Sequence, residues 1–261
     1  MKNTKRFKKI AALILIVAMM MTVMSCGKIQ KDHDEALMNL QKASNLAVEN
    51  GSIKVKANGE EAMGFDFDMI LKGLDKVTDT DIKPLEGKLL IDMDESDLNM
   101  TIYFKDGYSY YDMDGEKIKQ PLMDRNSIIQ GLEGVQGLDQ ISSNTILDLS
   151  KIAKNVKFND GKFSAKVDLK DYIRLTMKGL SGKELKEAKK ALAKTKGNIN
   201  LAATIKDANF TSYKITVNAV YKEKKHSEKV SVVVNMPIIK VNENVGDIVY
   251  PDFTKYIEPK K

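Results

Sequence analysis

The chain is 261 residues long, 30% charged and 43% hydrophobic, with a formal net charge of +6, one cysteine, two histidines and no tryptophan. A single cysteine excludes an internal disulfide framework, and two histidines leave little from which to build a zinc site or a Ser-His-Asp triad. The basic excess belongs to residues 1–25, which carry five basic and no acidic side chains; the chain from Cys26 stands at +1, without the electrostatic footprint of a nucleic-acid binder.

Lys2, Lys5, Arg6, Lys8 and Lys9 precede an apolar run from Ile10 to Met24 that only Thr22 interrupts. At about 15 residues the run is shorter than the ~20 a transmembrane helix needs, so residues 1–25 read as a secretory signal peptide. Val23, Met24, Ser25 and Cys26 stand where an Ala-x-Ala cleavage site would otherwise be, and the stretch resembles the lipobox of bacterial lipoproteins. That resemblance implies cleavage before Cys26 and acylation of its sulfur; an inert buried thiol is the alternative. Two or more acyl chains hold a protein on a membrane where one is marginal. Residues 26–34 then form a lipidated N-terminus and short tether, and 35–261 a single domain.

Ala36, Leu37, Leu40, Ala43, Ala47 and Val48 recur at helical spacing, which predicts a helix over Glu35 to Val48, with Asp34 as N-cap and Asn50-Gly51 as stop. Beyond it the period becomes two. Ile53, Val55 and Ala57, then Phe65, Phe67 and Met69, then Met100, Ile102 and Phe104 alternate with polar residues. Asn58-Gly59, Asp106-Gly107 and Asp114-Gly115 punctuate them as hairpin turns, giving an antiparallel meander from Ser52 to about Leu122. From Met123 to Asn155 the alternation stops, and a broken helix or loop followed by a helix over Thr145 to Ala153 is expected. A strand over Phe163 to Leu169 follows an Asn159-Asp160-Gly161 turn, then a short helix at Tyr172 to Lys178. A helix opened by Ser181 and Glu184 as a capping box is expected to end at Gly197. Strands over Ile199–Ile205, Tyr213–Tyr221 and Val230–Val234 follow, and the tail from Pro237 is expected to run extended to the surface. The fold class is α+β with one large antiparallel sheet.

The opening helix, Ile102-Tyr103-Phe104-Lys105-Asp106-Gly107-Tyr108 and Met113-Asp114-Gly115-Glu116-Lys117-Ile118-Lys119 together resemble the LolA/LppX-like superfamily, most closely lipoproteins of low-GC Gram-positive bacteria. The resemblance implies a curved sheet forming an incomplete barrel, helices covering its concave side, and an apolar space between them able to hold acyl chains.

No catalytic or metal constellation emerges. His33 lies in the tether and His226 in a charged hairpin tip; neither implies an enzyme, and no cofactor is expected. Asp92, Asp94, Glu95 and Asp97, or Asp112, Asp114 and Glu116, lack the ordered spacing of a calcium loop and read as turns and a wet sheet face. Gly131, Gly134 and Gly137 follow no strand and are not a phosphate loop. Six lysines between Lys183 and Lys196 give one helix a basic face, either solvated or turned toward anionic lipid. Phe65, Phe67, Met69, Met100, Ile102 and Phe104, with Tyr108 and Tyr110 nearby, are the candidates to line a cavity for a lipid or acyl-chain ligand; the same side chains serve equally as plain core. Two functions follow: a membrane-anchored extracytoplasmic carrier of an apolar ligand, or a non-enzymatic envelope scaffold. Replacing Cys26 with Ala is expected to shift the protein from the membrane to the soluble fraction; retention on membranes would refute lipidation.

Overall fold

The computed structural model describes residues 35–36, 38–40, 42–78, 81–93, 99–122, 152–176, 182–223 and 226–259. Among them are β1 (Asn45–Ala57), β2 (Glu60–Lys72), β3 (Glu86–Asp92), β4 (Asn99–Lys105), β5 (Tyr108–Met113), β6 (Glu116–Pro121), β7 (Ala153–Asn159), β8 (Lys162–Asp168), α1 (Leu169–Thr176), α2 (Gly182–Lys194), β9 (Thr195–Lys206), β10 (Asn209–Glu223), β11 (His226–Met236) and β12 (Ile238–Val241).

Tight turns fix most of the register. Asn58-Gly59, Asp106-Gly107, Asp114-Gly115 and Asp160-Gly161 each take positive φ at both residues, the twist that lets a two-residue loop join antiparallel strands. Asp207-Ala208 does the same with φ of 50° and 56°, although alanine pays a steric cost there.

The strands join in the order β6-β5-β4-β3-β2-β1-β11-β10-β9-β8-β7, with β12 pairing β1. Two meanders, β1–β6 and β7–β11, are therefore fused by the antiparallel β1–β11 contact, in which Ile53 faces Val234 and Val55 faces Val232. The sheet is curved and does not close, since β6 and β7 stand at opposite ends of the order. One face is apolar along its whole width. Ala36, Leu40 and Ala43 of the opening segment belong to the same core as that face, with Tyr172 of α1 packed against it, so helices cover the inner side. The fold is the large open antiparallel sheet that the sequence leads one to expect.

Several elements differ from expectation. Residues 35–36 and 38–40 are helical, but β1 has begun by Asn45, so the helix does not reach Val48. Leu46, Ala47 and Val48 are all buried, and a run apolar on both faces has the same signature in a helix and in a central strand. Asn50-Gly51 is a bulge in β1 rather than a helix stop: Asn50 has φ 55° and its backbone N–H donates to Asp68 Oδ1 at 2.7 Å. Gly197 lies inside β9 opposite Ala219, where a Cβ would meet the Asn218 carbonyl oxygen at 2.0 Å. It permits close strand approach instead of ending α2. Ala153, expected in a helix, opens β7, whose alternation is masked by a register shift between Lys154 and Lys157. Residues 123–151 of the insert expected from Met123 to Asn155, the glycine triplet among them, and Ser181 lie outside the described residues. The tail from Pro237 runs extended but is also packed on the sheet: β12 pairs β1, and Val245 and Tyr256 are buried.

Ala208→Gly is expected to raise stability by roughly 0.5–1 kcal/mol, because glycine takes positive φ without a Cβ penalty. Urea denaturation checks this, and an unchanged or lower midpoint would contradict it.

Candidate functional site

The inner face is a grid of cross-strand neighbours. Phe67 faces Ile91, and Ile91 faces Met100; Met69 faces Leu89, and Leu89 faces Ile102. Phe65 stands beside Ile53, which continues through Val234 and Ile215 to Leu201 and Ala165. Six of the sequence-identified residues, Phe65, Phe67, Met69, Met100, Ile102 and Phe104, thus share one face and one core cluster, each no more than 6% exposed.

Two glycines shape this face. A Cβ on Gly51 would lie 2.4–2.7 Å from three ring carbons of Phe67, and one on Gly87 would lie 2.7 Å from Leu71 Cδ2 and 2.9 Å from Phe104 Cδ2. The Phe67 ring therefore lies against the Gly51 backbone, while Leu71 and the edge of the Phe104 ring close over Gly87. Glycine in a strand costs propensity, and here it is offset by an aromatic ring covering the bare backbone.

Polar groups are few on this side. Ser109, 3% exposed, is the buried polar residue of the described core, and its hydroxyl lies 3.4 Å from the Gln120 carbonyl oxygen that accepts from it. Burial raises the phenol pKa of Tyr111, against which a hydrogen bond with Ser109 acts in the opposite sense. Burial pushes the phenol of Tyr172 on α1 up to about 12. These phenols stay neutral at physiological pH, and the inner face carries hydroxyls in place of charges at these positions.

Tyr108 and Tyr110 do not join the other six. In β5 it is Ser109, Tyr111 and Met113 that oppose Phe104, Ile102 and Met100, so Tyr108 and Tyr110 point to the outer face. Tyr108, Ser109, Tyr110 and Tyr111 run without a clear apolar–polar alternation, so the period-two pattern does not show which of them faces inward. There Tyr110 stacks on Phe253 with centroids 3.7 Å apart and meets Tyr256 edge-on, while Tyr103 contacts Tyr250 and Phe253. Asp252 caps the short 3-10 turn Phe253–Lys255 through the Thr254 N–H at 3.1 Å, which holds Phe253 over the sheet. Asp112 pairs with Lys117 at 2.7 Å and accepts from the Tyr256 hydroxyl at 3.4 Å. Burial, then the charge of Asp112, pushes the Tyr256 phenol up. Ile257 makes backbone bonds with Lys117 and Lys119, so the tail also covers the edge of β6. Sequence reasoning missed this strap; the spacing of Tyr250, Phe253 and Tyr256 was its available signal.

Other candidates resolve simply. Cys26, His33, Asp94, Glu95 and Asp97 lie outside the described residues. Asp112 is engaged as above, and Asp114 forms a hairpin turn. Among the described residues no group of three or more His, Cys, Asp or Glu is placed to hold a metal ion. No helix among them is long and apolar enough to cross a membrane. Lys186, Lys189 and Lys190 of α2 are exposed.

No family model matches the sequence, and no curated protein matches it. Among solved structures, the crystal structure of LprF from Mycobacterium bovis is similar at a TM-score of 0.33 and 12% identity, covering 85% of this chain and 94% of that one. A likeness at that score establishes neither a common fold nor a common activity.

Gly51→Ala is expected to lift the Phe67 ring and destabilise the protein by about 1–3 kcal/mol through overpacking. In a double-mutant cycle Phe67→Leu should recover much of that loss, the two sites being in contact. Additive losses on urea denaturation would show that the ring does not depend on the glycine.

Proposed function

We propose that this protein is an extracytoplasmic lipoprotein, anchored to the cell membrane through acylated Cys26, that carries an apolar ligand on the inner face of its sheet. Acyl chains are the ligand chemistry that fits best: a face built from Phe, Met, Ile and Leu offers apolar contact with few polar groups. The observation that supports the reading is the continuous apolar inner face, on which Phe65, Phe67, Met69, Met100, Ile102 and Phe104 lie together. Reversible burial would require the covering helices to move away from this face, since the six side chains are packed in the core. The mechanism is reversible burial with no covalent step, driven by about 0.8 kcal/mol for each CH₂ removed from water. Cys26 holds the domain at the bilayer from which such a ligand would come.

A second reading, an envelope scaffold without ligand, is favoured by the near-complete burial of the same six side chains. The two separate on native mass spectrometry with lipid extraction of the domain from Gly27 onward, where no covalent acyl group confuses the result. Co-purifying acyl lipid is expected; an empty domain that takes up no added lipid would leave the scaffold.

A further inference from the structure

The outer face of the β8–β11 wing and the adjoining half of β1 has a composition unlike the rest of the sheet. One rung runs Lys166, Asn200, Thr216, Val233, Lys54 across five strands. The next, toward β8's start, runs from Ser164 through Ala202, Lys214 and Asn235 to Ser52, and the rung on the other side from Asp168 through Asn198, Asn218 and Ser231 to Lys56. At ~4.8 Å between strands and ~3.4 Å per residue, the three rungs span roughly 19 by 14 Å. Asp168 is the one acid on them, and it already accepts from the Lys170 N–H at 2.8 Å. Lys56, Lys166 and Lys214 are exposed and make no ion pair among the described residues.

We infer that this platform binds a linear, hydrated polyanion that carries phosphodiester and hydroxyl groups along its chain, of the polyol-phosphate type. The lysines meet the phosphates, and the amides and hydroxyls between them meet the chain's hydroxyls. Asn200 and Asn198 are bonded to each other at 2.7 Å, and Ser231 to Asn218 at 3.1 Å, so these groups are held in place before a ligand arrives. The platform has no aromatic side chain, which argues against stacking of nucleic-acid bases. None of the exposed large hydrophobic residues of the described chain lies on it, which argues against insertion into a bilayer and against a protein partner needing an apolar anchor. Charge complementarity is what selects the occupant. The chain's charge bias supports it: residues from Pro121 onward carry 25 basic and 16 acidic side chains, and the fold gathers β7–β11 into one wing. The inference is independent of what the inner face carries.

The test uses the full lipidated protein in nanodiscs of zwitterionic lipid, with oligomeric glycerol phosphate as probe. Binding is expected at low salt and to weaken steeply as salt rises, since each lysine–phosphate contact releases counterions. Lys56→Gln, Lys166→Gln and Lys214→Gln together should weaken it about tenfold or more, whereas Lys186→Gln, Lys189→Gln and Lys190→Gln, an equal loss of charge on α2, should change it less than about twofold. All six positions are exposed, and unchanged thermal midpoints confirm folding. Equal losses in both triples, no binding at low salt, or capture of phosphatidylglycerol-rich vesicles in place of the oligomer would each overturn the assignment.

Discussion

The structure depends on the pairing of β1 with β11. Each meander builds itself from neighbouring hairpins, but a hairpin ladder alone is a ribbon with an unprotected apolar side. Register from Ser52 opposite Asn235 to Ala57 opposite Val230 fuses two ribbons into one sheet wide enough to bend around a core. That contact closes most of the chain into a loop, and loop entropy must be repaid by packing. The repayment comes from the continuous row through Phe65, Ile53, Val234, Ile215, Leu201 and Ala165, which exists only when both ribbons are in register.

From this follows a division of labour between faces. The buried part of the inner face is apolar from strand to strand, with Ser109 as its buried polar side chain among the described residues. The outer face is partitioned: an aromatic and lysine zone on β4–β6 under the carboxy-terminal strap, an acidic middle with Asp66, Asp68 and Asp92, and the amide and lysine platform on the other wing. Because the N-terminal half of the sequence supplies one wing and the C-terminal half the other, charge that is uneven along the chain becomes uneven in space.

The hairpins were legible because a two-residue loop requires positive φ, and Asn-Gly and Asp-Gly advertise it. The six inner-face residues were legible because alternation is a direct record of burial. Where a second physical demand overlay the first, the pattern failed. Leu46, Ala47 and Val48 are buried from both sides and so imitate a helix. Gly197 serves strand approach, a use of glycine that local sequence does not distinguish from a helix terminus. Tyr108 and Tyr110 are near these faces in sequence, but parity alone decides which face a strand residue joins, and it puts them on the outer one. The strap is harder to read: Tyr250, Phe253 and Tyr256 recur at a regular spacing, but the rings they meet lie more than a hundred residues away, and the spacing does not say which strand they cover.

One feature of β1 bears on mechanics. It is the first strand of the sheet, yet it sits in the middle, bonded to β2 along one edge and to β11 and β12 along the other. A pull on the amino-terminal side of the chain therefore loads the best-supported strand along its length, and the ladders on both edges resist in shear together. A terminal edge strand would instead peel one bond at a time. The amino-terminal end of the sheet is thus the end from which a pull is least able to unzip it.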